Sequence, residues 1–178
     1  MASLGHVVVG LAAARWHVHG TATPRSSFVA TALGFVALSL LPDADVIAFS
    51  LGIPYAHPLG HRGASHSLAF AVVVAALTAM STRAYWTDRA RLAALVAAVV
   101  ASHGLLDALT DGGLGAALLW PISTERFFAP WRPLPVAPIG TDFISRRGLH
   151  CALVELLLFA PLLVYALAPR RRIRLPSD

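Results

Sequence analysis

The residues of this chain best suited to chemistry are a few histidines and aspartates set between long apolar stretches. His103 and Asp107 are four apart, which on a helix puts both side chains on one face, about 5–6 Å apart at Cβ. Neutral imidazole and carboxylate are ligands for zinc and related ions. The pair stands among Ala, Val and Leu, where burial without partners is costly. Thr110 can supply a supporting hydroxyl, and Asp111 is either an added ligand or a cap. Asp43 and Asp45 follow Pro42. Two carboxylates in such a turn can face a shared cation, or one can bind metal while the other acts as general base; the alternative is an ordinary helix-end cap. In His61-Arg62-Gly63-Ala64-Ser65-His66-Ser67, two histidines and an arginine form a loop that feeds a helix. Arg62 presents a fork suited to phosphate oxygens, and Ser65 or Ser67 is a candidate helix cap. His6 is a ligand or a core histidine. Glu155, five residues after His150 and off its helical face, is a supporting group or a further ligand. No nucleophile elbow, Walker A loop or dinucleotide-binding glycine pattern accompanies these residues.

The elements that position this set are apolar. The 178 residues are 57% hydrophobic and 13% charged, against about 45–50% and about 25% in a soluble domain, and the mean hydropathy is +0.68. The 14 basic and 9 acidic residues are too few to cover a soluble surface, and disorder and a disulfide scaffold are both excluded. All the basic residues are arginines scattered at the borders of apolar segments, so the basic balance marks membrane topology and not a nucleic-acid face. Cys151 reads as a small buried hydrophobe, and His17, His19 and His57 as interfacial residues.

Five Ala-, Leu- and Val-rich segments, about residues 3–19, 26–42, 66–82, 91–107 and 149–168, predict an all-α, membrane-embedded bundle of about five helices forming one domain over residues 1–178. Their lengths sit at the lower end of what crosses a bilayer; a bundle half sunk in one leaflet is the competing arrangement. With the N-terminus outside, Arg15, Arg25, Arg83, Arg89, Arg91 and the cluster Arg170, Arg171, Arg172 and Arg174 fall inside, the sign expected of the positive-inside rule. Alternation then gathers His6, Asp43, Asp45, His61, His66, His103, Asp107, Asp111, His150 and Glu155 at one end of the bundle. Pro54 and Pro58 predict an extended loop before His61, and the prolines from Pro121 to Pro138 predict a non-helical cap.

The blocks Gly5-His6, Leu41-Pro42-Asp43-Ala44-Asp45, Gly60-His61-Arg62-Gly63 through His66-Ser67, Ser102-His103 with Asp107 and Thr110, and Leu118-Leu119-Trp120-Pro121 occur in order. Together they resemble the bacterial inner-membrane metal-dependent hydrolase family first described through a LexA-regulated member. That family is distantly similar to the zinc-dependent phospholipase C and single-strand nuclease superfamily. The resemblance implies a phospholipase C-like helical core and a metal site with His103 and Asp107 as the paired ligands and His6 as an early one. It also implies one of Asp43 or Asp45 as the base, and His61 or His66 as the ligand that follows. The superfamily's late His-xxx-Glu pair and its N-terminal tryptophan ligand have no counterpart here, which implies one or two ions, not three.

The expectation is a multi-pass inner-membrane hydrolase that uses a divalent metal, zinc first, to cleave a phosphoester. Its metal ligands are drawn from His6, Asp45, His61, His66, His103 and Asp107; Asp43 or Asp45 is the base and Arg62 stabilises anionic oxygens. Membrane lipid is the expected partner, a lipid-like phosphoester the expected substrate, and nucleic acid is not a partner. The alternative is a non-catalytic metal-binding membrane protein that senses or transports. A transporter, however, places its polar residues on broken helices at the bilayer midplane, not at one end.

Overall fold

A computed structural model describes residues 3–19, 24–82, 86–138 and 140–168. Arg83, Arg170, Arg171, Arg172 and Arg174, which carry part of the charge bias, lie outside the described residues. Five long helices form the bundle: α1 (Ser3–His17), α2 (Arg25–Leu40), α4 (Leu68–Ser81), α5 (Trp86–Ala108) and α6 (Arg146–Leu167). A 3-10 turn (Leu41–Val46) and the single-turn α3 (Ile47–Ser50) continue α2. Among the described residues there are no strands, only two isolated bridges, Thr110 with Leu134 and Ala116 with Phe127. α1 packs on α2, α5 and α6, while α4 packs on α5.

Three stretches are long and apolar enough to cross a membrane: Arg25–Ser50, Asp88–Ala108 and Arg146–Leu167. α1 and α4, with 15 and 14 residues, reach only about 21–23 Å, against the roughly 30 Å of a hydrocarbon core. Their outward faces are nonetheless apolar: Val72, Val73, Leu77 and Met80 of α4 are exposed, as are Leu153, Leu157 and Val164 of α6. The inward faces are small, with Ala13, Ala14, Ala32, Ala71 and Ala75 around Phe35, Val74, Val96, Val99 and Val100. Helices in lipid gain little from hydrophobic burial, so small residues that allow close approach hold the bundle together. Gly10 shows the tolerance, because a Cβ there would stand 2.7 Å from Cα of Val36 on α2.

The loops follow their turn chemistry. Ser67 caps α4 by accepting the Phe70 N–H at 3.0 Å, so this helix begins two residues later than the apolar run. Ser145 caps α6 from the Gly148 N–H. The segment after Pro54 is not extended as expected. It closes into successive turns, His57 N to Pro54 O, Gly60 N to His57 O and Gly63 N to Gly60 O, because the glycines admit close backbone approaches that the prolines then hold. Arg126 clamps these turns, donating to the carbonyls of His61 (2.9 Å), Tyr55 (2.8 Å) and His57 (3.1 Å).

Candidate metal centre

At one end of the bundle His6 (α1), Asp43 and Asp45 (the turn after α2), His61, Arg62 and His66 (the loop into α4) and His103 and Asp107 (α5) converge. One ligand atom from each of Asp43, His66, His103 and Asp107 lies within 4.8 Å of every other. Asp45, His61 and His66 form a second group at the same spacing. His103 Nε2 is 3.3 Å and His66 Nε2 3.6 Å from Asp43 Oδ1; His66 Nε2 is 3.3 Å from Asp107 Oδ2 and His6 Nε2 3.6 Å from Asp107 Oδ1. The His6 ring stacks on His103 with centroids 3.6 Å apart. His6, His61, His66, His103 and Asp107 are essentially inaccessible, and only Asp43 and Asp45 show a side-chain exposure near a tenth. The cluster opens at those two carboxylates.

The second nitrogen of each central ring is held. His103 Nδ1 is 2.6 Å from the Ser39 carbonyl oxygen and can only donate to it, which leaves the lone pair on Nε2. His66 Nδ1 stands 3.1 Å from Asp45 Oδ2 and 3.0 Å from Ser65 Oγ, which sets the same tautomer. A carbonyl or carboxylate behind the ring is the usual support of a metal-binding histidine.

These residues fit a divalent cation on two counts. His6 Nε2, His66 Nε2, His103 Nε2 and Asp43 Oδ1 are buried without a well-formed hydrogen bond, their nearest contacts being the 3.3–3.6 Å approaches to one another and to Asp107, a costly state that a cation between them would relieve. Among the described residues three carboxylates, Asp43, Asp45 and Asp107, crowd around these imidazoles, and of the three Asp107 is paired with a guanidinium, that of Arg62. His66 reports this crowding: burial alone would lower its pKa, but Asp107, Asp43 and Asp45 push it up to about 10.

Asp45 and Arg62 organise the cluster. Asp45 accepts from His61 Nδ1 (2.6 Å), Ser65 Oγ (2.5 Å) and the Arg62 main-chain N–H (3.1 Å), and it faces His66 Nδ1 as well. With both oxygens engaged, it holds the loop and both its imidazoles. Asp45→Asn, which puts an amide N–H among these donors, is therefore expected to lower zinc affinity by about 10–100-fold without loss of helicity. A competitive zinc titration checks this, and wild-type affinity would remove Asp45 from the positioning role. Arg62 adopts φ 61°, a left-handed conformation uncommon for a residue with a Cβ, pinned by Asp45 on its N–H and by Ala117 N–H on its carbonyl. The turn drives the guanidinium inward: Nε is 2.9 Å from Asp107 Oδ2, and Nη1 donates to Thr110 Oγ1 and the Gly112 carbonyl, each at 3.0 Å. Nη2 is buried with no hydrogen-bond partner.

Thr110 closes this network by donating to the Asp107 carbonyl at 2.7 Å. Asp111 lies outside the cluster, exposed, and accepts the Val136 N–H at 2.7 Å; one turn beyond Asp107 the helix has ended and the chain turns away. Glu155 is buried but also apart: its Oε2 accepts the N–H groups of Leu4 (2.8 Å) and Gly5 (3.0 Å), capping α1 beside His6. His150 is exposed on α6. Three supports escaped sequence reasoning. The Ser39 carbonyl leaves no side-chain signal, Ser65 read only as a helix cap, and Arg126 read only as a border charge.

Fold and site together define a polytopic membrane protein with a buried histidine–aspartate cluster at one end of its bundle. The chain belongs to the YdjM inner membrane protein family, whose pattern it matches over residues 1–173. It is 45% identical over 125 residues to the inner membrane protein YbcI of Escherichia coli (strain K12), an alignment covering 70% of this chain and 72% of that protein. No solved structure matches it. The protein is thus a multi-pass inner-membrane protein.

Proposed function

We propose that this protein is a metal-dependent hydrolase of phosphoesters, with a lipid-like substrate presented from the membrane. The observation that carries the reading is the convergence of His66 and His103 nitrogens with Asp43 and Asp107 oxygens, both imidazoles being held from behind, with His6 Nε2 beside them at 3.6 Å from Asp107 Oδ1. A divalent ion, zinc first by this donor set, supplies Lewis acidity toward water and a phosphoryl oxygen. Asp43, which with Asp45 forms the opening of the cluster but whose oxygens are not taken up by the loop as those of Asp45 are, takes the proton of the attacking water. Arg62 keeps Nη2 for an anionic oxygen of the substrate, while its other nitrogens hold Asp107 and Thr110 in place. Asp45 and His61 align His66. The ordered sequence blocks that resemble the inner-membrane metal-dependent hydrolase family, itself distantly similar to the zinc-dependent phospholipase C and nuclease superfamily, support the same chemistry.

The test is hydrolysis of nitrophenyl phosphodiesters and of phospholipid in mixed micelles by the purified protein, stripped of metal and then reloaded with zinc. Activity that appears with zinc supports the proposal. Tight zinc binding with no hydrolysis of either substrate class would instead favour a sensing or transport role.

A further inference from the structure

The opposite end of the bundle carries a different feature. Ala76 and Ala79 of α4 face Ala90 and Ala93 of α5 across a groove of about 270 Å³, which ends at Trp86 and Arg89. The small side chains leave a furrow in a surface whose neighbours Val73, Leu77 and Met80 are exposed and apolar, so hydrocarbon and not water fills it in the membrane. Arg89 Nε is buried without a hydrogen-bond partner. The adjacent Asp88 is one residue away and so on another face of the helix. Arg91, two residues on, is engaged over the Trp16 ring at 4.8 Å. Among the described residues this end holds Arg15, Arg25, Arg89 and Arg91 against one acid, Asp88, a charge balance that attracts anionic headgroups.

We propose that this groove binds one anionic diacyl phospholipid, its phosphate on the Arg89 guanidinium and an acyl chain along the alanine furrow. A guanidinium whose buried Nε has no hydrogen-bond partner among the described residues gains charge-assisted hydrogen bonds from a phosphate, and the exposed Trp86 ring, 81% accessible, covers the junction of headgroup and chain as aromatic residues do at such interfaces. The site is remote from the histidine–aspartate cluster and stands or falls independently of the hydrolase reading.

The experiment uses the full chain reconstituted in phosphatidylcholine vesicles containing chain-brominated phosphatidylglycerol or, at the same fraction, chain-brominated phosphatidylcholine. The Trp86 fluorescence is taken as the difference between wild type and Trp86→Phe. Stronger quenching by the brominated phosphatidylglycerol is expected, with the preference lost in Arg89→Gln. Ala93→Leu, which fills the furrow and leaves Arg89 in place, is expected to weaken quenching by the phosphatidylglycerol. Equal quenching of the wild type by the two lipids would overturn the site, as would a preference that survives Arg89→Gln.

Discussion

Protein carrying His103→Ala together with Asp107→Asn is expected to lose at least about a hundredfold in divalent-metal affinity, the upper end of what removing a mere supporting group costs. Phosphoester hydrolysis, if wild type shows it, should fall with the metal. The two residues lie on one face of α5 and contribute an Nε2 and a carboxylate to the same four-residue group. Asparagine is the informative replacement at Asp107. Truncation to alanine would leave the Arg62 guanidinium, 1% exposed, without its 2.9 Å partner, and breaking a buried pair in this way costs about 3–5 kcal/mol. The amide keeps an acceptor for Arg62, whose Nη1 also retains Thr110 Oγ1 and the Gly112 carbonyl. Elemental analysis of the purified protein reads the metal, and circular dichroism verifies the fold. Full metal content in a folded double variant would end the metal-centre reading.

Stripping the metal from wild type should lower thermal stability by a wide margin. Binding to the folded state alone, at a thousandfold excess over Kd, contributes about 4 kcal/mol. In a chain of this size each kcal/mol moves Tm by about 2–4 °C, so chelation is expected to lower Tm by roughly 8–16 °C, with recovery on adding zinc. The sign follows from the crowding of carboxylates in a buried cluster: without a cation Asp43 and Asp107, with oxygens within 4.8 Å of each other, repel across poorly screened interior. A melting curve in detergent unmoved by chelator and zinc would contradict it.

The helices were readable because composition alone specifies them. Apolar runs longer than a strand can use, broken by prolines and small polar residues, mark α1, α2, α4, α5 and α6 to within a few residues. The boundaries moved where a serine cap took over, as at Ser67 before α4, and most at α5, whose polar first turns with Asp88, Arg89 and Arg91 are helical from Trp86, five residues ahead of the apolar run. The pair His103 and Asp107 was readable for a local reason, since four residues on a helix is a distance in space. Asp45 and Arg62 were not readable in the same detail. Their roles depend on a left-handed turn at Arg62 and on which of two neighbouring carboxylates the loop wraps around. The contribution of Ser39 lies in its carbonyl, which every residue possesses. Glu155 is legible only as a supporting group without a named partner, because its partners are the Leu4 and Gly5 amides of another helix, which no spacing along α6 encodes.

That last contact also orders events in time. The Glu155 carboxylate, which caps the first turn of α1, is synthesised 150 residues after Gly5. During translation α1 therefore exists with its first turn still open, and the cap arrives only when α6 follows. The start of α1, and with it the setting of His6, is thereby completed by α6, so a nascent chain released before α6 would lack the carboxylate that fixes that turn.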